Sequence, residues 1–175
     1  MKRVAMASAL VVFFSFVAQA QTTPPAPGPE HKRLSVFAGT WTGTGKAETT
    51  PIGQGGTIAG TMTCAWYSGG FHLVCDSDDA TPGGRIKSHA LYGYDAEKKQ
   101  YFSFSIDSTG YGGPGTAKVD GTAWTFEGSA AVGGKTLWFR TVVKLPSPTE
   151  LTYRSEFSED GKAWKLQSEG KMLKK

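Results

Sequence analysis

From Gly39 onward the chain alternates apolar and polar residues with a period of two, and only clusters of Gly, Asp and Pro interrupt the pattern. No helical stretch of ten or more residues intervenes, and a parallel crossover needs one. Antiparallel hairpins remain. The spacing predicts ten strands, at roughly 40–50, 56–67, 71–79, 84–93, 100–107, 115–119, 122–130, 135–145, 150–158 and 162–172. Turn signals separate them, among them Gly69-Gly70, Pro82-Gly83-Gly84, Asp120-Gly121, Gly133-Gly134 and Asp160-Gly161. Asp-Gly and Gly-Gly suit tight hairpins because their central residues take positive φ. A meander of about ten strands loses its two exposed edges most simply by closing on itself. The expected fold is therefore all-β, a closed antiparallel barrel.

Hairpin registers test that expectation. With Asp160-Gly161 as a two-residue turn, Phe157 faces Trp164, Ser155 faces Leu166 and Tyr153 faces Ser168. Across the Pro146–Glu150 loop, Val143 pairs with Tyr153 and Phe139 with Phe157. One face then carries Leu137, Phe139, Val143, Tyr153, Phe157, Trp164 and Leu166, with the small Thr141, Ser155, Ser168 and Gly170 between them. The opposite face carries charges, with Arg140, Glu156 and Lys165 aligned across three strands as a solvated ladder. With Gly69-Gly70 as the first turn, Cys64 falls opposite Cys75, and adjacent strands bring such Cα atoms within disulfide reach. A Cys64–Cys75 bridge is expected, two buried free thiols being the alternative.

The N-terminus predicts export. Lys2 and Arg3 precede an apolar run from Val4 to Val17, and Ala18-Gln19-Ala20 has the small-x-small form of a cleavage site. The run is short for a membrane span, so removal of residues 1–20 is expected rather than retention as an anchor. The expected destination is the periplasm or the medium, with no membrane insertion after cleavage. Residues 21–30 carry four of the nine prolines and read as a flexible tether, leaving 31–175 for the barrel. From Pro29 to Ala38, one or two helical turns with Leu34 and Phe37 on one face would cap one barrel end. Loss of Lys2 and Arg3 takes the formal charge from +4 to +2. So small a charge, on lysines spread along the chain, gives no footprint for nucleic acid.

The segment from Pro29-Glu30-His31-Lys32 through Leu34 to Gly39-Thr40-Trp41-Thr42-Gly43 resembles the opening of lipocalin-like (calycin) barrels. There a short helix leads into a G-x-W strand whose tryptophan packs across the barrel end. With Gly93-Tyr94-Asp95, Tyr101, Asp107-Ser108-x-Gly110 and Asp160-Gly161-Lys162-x-Trp164, the chain is similar to the bacterial domain of unknown function 1579 family. That resemblance spans nearly all of the mature chain and implies a barrel and export; it brings no activity with it. Gly39-x-Trp41-x-Gly43-x-Gly45 also matches the start of nitrobindin-like haem barrels. Those hold iron through a histidine near the chain's end, whereas the last histidine here is His89. No cofactor is expected.

Other chemistry-bearing patterns fail on context. His31, His72 and His89 lack metal-ligand spacing. Asp76, Asp78 and Asp79 suggest an exposed acidic loop, because a calcium loop would not place Ala80, Thr81 and Lys87 where they stand. Gly110-x-Gly112-x-x-Gly115 imitates a dinucleotide fingerprint, but Pro114 lies inside it and a strand follows. No Ser–His–carboxylate set is suggested and G-x-S-x-G is absent. The dry face therefore holds the functional interest. Its large and small residues either interlock or leave a cavity with hydroxyl anchors, and the second reading is adopted. The expected function is binding of an apolar or amphipathic small molecule among Trp41, Phe139, Tyr153, Phe157 and Trp164, with oligomeric state left open. Two alternatives stand beside it. One is a barrel-type isomerase or hydrolase, with Asp107, Glu127 and Arg140 to inspect; the other is an envelope protein-interaction module.

Overall fold

A computed structural model describes residues 25–175. The expected leader at 1–20 and the first part of the expected tether lie outside the described residues. A five-residue helix α1 (Pro29–Arg33) runs into a 3-10 turn (Leu34–Phe37), and ten strands follow. They are β1 (Gly39–Ala47), β2 (Gly56–Trp66), β3 (His72–Thr81), β4 (Gly84–Asp95), β5 (Gln100–Asp107), β6 (Gly112–Asp120), β7 (Ala123–Val132), β8 (Lys135–Ser147), β9 (Glu150–Ser158) and β10 (Lys165–Lys174). Each pairs antiparallel with the next, and β1 pairs with β10, closing the barrel.

Inward residues alternate with outward ones along each strand, and the helical end is solid. Leu34 and Trp41 are almost wholly excluded from solvent, and Phe37 is buried with them. The Trp41 indole donates from Nε1 to the Phe37 carbonyl at 2.8 Å. Phe37 meets Trp124 edge-on at 5.1 Å, and Tyr101 meets Trp124 at 4.9 Å. The Tyr101 hydroxyl donates to the Glu30 carbonyl at 3.1 Å, fastening α1 to the barrel rim. Each of these large side chains contributes about 1.5–3 kcal/mol through burial.

Two of the three expected registers hold. Cys64 lies opposite Cys75, with Cα atoms 4.0 Å apart and a disulfide between them. Val143 pairs with Tyr153 and Phe139 with Phe157. The third differs. Asp160-Gly161 is part of a longer loop, because the Asp160 carboxylate accepts from the Lys162 and Ala163 amides, both at 2.8 Å, and winds the chain through extra residues before β10. Phe157 thus faces Lys165 and Glu156 faces Leu166, one residue out from expectation. That slip puts Trp164 and Leu166 on the outer side. A bulge at Gln167 restores the phase, so that Ser168 faces Ser155 and Gly170 faces Tyr153. The outer ladder changes accordingly. Arg140 binds Glu156, Arg154 binds Glu156 and Glu169, and Lys165 leaves the row for Glu159.

The expected acidic loop is also corrected. Asp76, Asp78 and Asp79 lie inside β3 and divide between its faces. Asp76 pairs with His89 at 2.7 Å and Asp78 with Arg85, both outside, whereas Asp79 points inward with Cys75 and Ser77. β6 begins at Gly112, earlier than the turn-like Gly112-Gly113-Pro114 suggests, because its inner edge pairs with Ser105 and Ile106 of β5.

Candidate functional site: an interior cavity with an acidic corner

Above the solid end the barrel is hollow. A cavity of about 680 Å³ occupies the upper half and opens at the end opposite α1. That volume falls within the range of small-molecule sites. Its floor includes Phe37, Tyr92, Phe126, Val143 and Met172, the upper surface of the helical-end core. Ser103, Ser105, Phe139, Thr141 and Tyr153 stand higher in the walls, and Ile52, Ile106 and Tyr111 border the mouth. Ile106 and Tyr111 are exposed.

The space exists because inward positions on the upper strands carry small residues. Along one wall, β1, β2 and β10 contribute Gly43, Gly45, Gly60 and Gly170. Two side chains lie down in the hollow these leave. A Cβ on Gly45 would collide with the Tyr153 hydroxyl, and one on Gly60 would collide with Oδ1 of Asp79. Gly45 and Gly60 are diagonal neighbours across the β1–β2 ladder, so the phenol and the carboxyl lie on adjoining patches of the wall.

Hydroxyls complete a polar corner. Ser77 Oγ donates to Asp79 Oδ2 at 3.1 Å and shares a hydrogen bond of 2.6 Å with Ser88 Oγ, which borders the cavity. Thr141 Oγ1 and Ser155 Oγ bond at 2.9 Å on the far side. Burial pushes the Asp79 carboxyl above its ordinary range, and the neighbouring Asp78 charge adds to this against the Ser77 hydrogen bond. Burial likewise raises the Tyr92 and Tyr153 phenols, and for Tyr153 the Asp79 charge adds to it. Among the described residues no Lys, Arg or His borders the cavity.

Of the five aromatic residues singled out in the sequence, Phe139 and Tyr153 border the cavity. Trp41 is sealed into the helical-end core, and Phe157 is buried beside Phe139 without reaching the open space. Trp164 lies outside, its ring under the Arg140 guanidinium at 4.2 Å. Of the acid–base candidates, Asp107 and Glu127 border the cavity and Arg140 does not, and Asp107 and Arg140 have other partners. Asp107 Oδ1 accepts from the Thr109 amide and hydroxyl and from the Tyr111 amide, holding the β5–β6 turn. Arg140 bonds Glu156 on the outer face, next to Glu127 in the β7–β8 ladder. Sequence reasoning missed Asp79, Ser88 and Tyr92. Carrying the alternation from Cys75 along β3 and across the Pro82–Gly84 turn would have placed them inside.

Comparison with known proteins agrees with this architecture. No curated protein matches the chain in sequence. Among solved structures, Rv2717c from M. tuberculosis is similar with a TM-score of 0.60 and 16% identity, over 85% of this chain and 99% of that one. The S-type phycobiliprotein lyase CPES from Guillardia theta is similar with a TM-score of 0.54 and 9% identity, over 83% and 92% respectively. At such identities the likeness is one of fold. Family membership is firmer, since the family model spans residues 26–172, from just before α1 into the last strand, and on that match the chain belongs to the family described as protein of unknown function (DUF1579).

Proposed function

We propose that the chain is an exported small β-barrel protein that holds an apolar or amphipathic small molecule in the hollow half of its barrel. The observation that carries this reading is the cavity: a barrel sealed at one end by α1 and its aromatic core and open at the other into about 680 Å³ of largely apolar space. A structural barrel has no need to leave such a volume empty, since filling it with larger side chains stabilises a core. Phe139 and Tyr153 supply wall area, and the Ser and Thr hydroxyls supply orienting groups. The Cys64–Cys75 disulfide suits an oxidising compartment, as does the leader expected from the sequence of residues 1–20.

The binding test is a titration of the purified mature protein with Nile red, followed by dye emission and by tryptophan quenching, since Trp124 packs against floor residues Phe37 and Phe126. Saturable one-to-one binding that is lost when Ala90, on the cavity wall, is replaced by Phe supports the reading. A response that does not saturate, or that survives Ala90→Phe, removes it. The export test is the mass of the secreted chain, which is expected to begin at Gln21.

A further inference from the structure

The cavity is apolar over most of its surface, and its ionisable groups are chemically one-sided: Asp107 and Glu127 border it, and Asp79 stands directly behind the bordering Ile86, Ser88 and Tyr153. Asp79 and Tyr153 lie over the glycine wall at Gly60 and Gly45. Oδ2 of Asp79 accepts from Ser77, while Oδ1 makes no hydrogen bond among the described residues. No buried side-chain nitrogen or oxygen among the described residues lacks a partner, so the unbonded Oδ1 keeps some accessible surface, on a residue that its pairing with Gly60 turns inward. Against this, no lysine, arginine or histidine among the described residues borders the cavity. The cations nearest in sequence are turned away, for Arg85 binds Asp78 on the outer face and Lys87 also alternates outward. An anionic head group entering here would meet a carboxyl and no counter-charge, which is costly in a desolvated site. A cationic head group would meet an acceptor carboxylate and the face of a phenol, both of which favour it.

Resting on the binding function proposed above, we propose that the molecule held in the barrel is an amphipathic amine, its ammonium group directed to Asp79 and Tyr153 and its apolar body lying against Phe139 and Phe126. The arrangement discriminates by charge. An alkyl carboxylate of the same length fits the apolar space equally well and is rejected at the corner, and a neutral alcohol is intermediate.

Three probes of matched chain length separate this from the simpler reading of an unselective apolar pocket. Decylamine, 1-decanol and decanoate are titrated into the mature protein at neutral pH below their aggregation limits, by calorimetry and by displacement of Nile red. The expected order of affinity is amine, alcohol, carboxylate, with at least tenfold between the first and the second. Asp79→Asn is expected to lower decylamine affinity at least tenfold, to the level of decanol. If decanol or decanoate binds as tightly as decylamine, or if Asp79→Asn leaves the preference for the amine intact, the charge assignment is overturned and the pocket survives it. Saturable binding by none of the three removes the pocket as well. Should Asp79→Asn fail to fold, judged by circular dichroism, the ranking of the three probes on the native protein decides alone.

Discussion

At the helical end of the barrel, β1, β3, β5 and β7 place Trp41, Leu73, Tyr101 and Trp124 inward, and all four are buried. Four residues further along the same strands, at the open end, the inward positions are Gly45, Ser77, Ser105 and Gly128. Strand pairing and alternation are the same in both halves; only side-chain volume differs. Binary patterning therefore decides that the chain closes into a barrel and which face is dry, whereas residue size along each inner row decides where the barrel is filled. A protein under selection for stability alone would have no reason to make the two halves so unlike.

The sharpest test of that contrast truncates one large residue in each half. Trp41→Ala, in the solid half, should cost about 3–5 kcal/mol, because it opens a void and orphans the Phe37 carbonyl. Phe139→Ala, on the cavity wall, should cost about 1–2 kcal/mol, since part of its ring already faces open space. Urea unfolding measures both, and equal losses would erase the distinction. Next in size is the disulfide, which joins β2 to β3 at the boundary between the halves. Replacing Cys64 and Cys75 together by Ser should cost about 2–3 kcal/mol for a loop of this length. Smaller again is Ala90→Phe, which fills the hollow half. Its stability should stay within about 1 kcal/mol of the parent, because the new ring enters existing space. A much larger loss would mean that the cavity walls are already in contact.

How much of this was legible beforehand follows from the same contrast. The alternation and the Gly and Asp turn signals suffice for ten strands, a closed meander, the Cys64–Cys75 pairing and the Phe139–Phe157 register. Errors arose where a side chain, not a backbone preference, set the geometry. The Asp160 carboxylate lengthens a loop that otherwise resembles a two-residue turn, and one residue of slip sends Trp164 from the expected interior to the outer face beneath Arg140. Asp79 was hidden by composition. Three aspartates within four residues suggest a solvated loop, yet in a strand alternation sends every second residue inward whatever its charge. Its tolerance there depends on Gly60 in the adjacent strand, a long-range partner that no local window contains. Trp41 and Phe157 were placed on the correct face, but whether an inward aromatic borders a void depends on its neighbours across several strands.

The smallest expected effects separate the inner and outer faces of the open end by their acid titrations. On the outside, hydrogen bonds from Arg140 and, secondarily, Arg154 hold the Glu156 carboxyl below its usual range. Its contribution is fully present above the unfolded-state value of about 4.3 and disappears as pH falls through the lower folded value. Being part of a partly exposed ion pair, it amounts to at most about 1 kcal/mol. On the inside, burial raises Asp79, so the sign reverses. The folded protein prefers the protonated acid, and stability falls as pH rises from the unfolded value of about 3.9 through the folded one. Asp79→Asn, which keeps an oxygen for the Ser77 hydroxyl, should therefore be more stable than the parent at neutral pH, with the advantage shrinking as pH falls through the folded value and gone below about 4. Glu156→Gln should be less stable at neutral pH, and its deficit should vanish in acid. Urea midpoints between about pH 2.5 and 7 compare the two. Profiles displaced in the same direction would place both carboxyls in equivalent surroundings, and the charge-selective interior would lose its anchor.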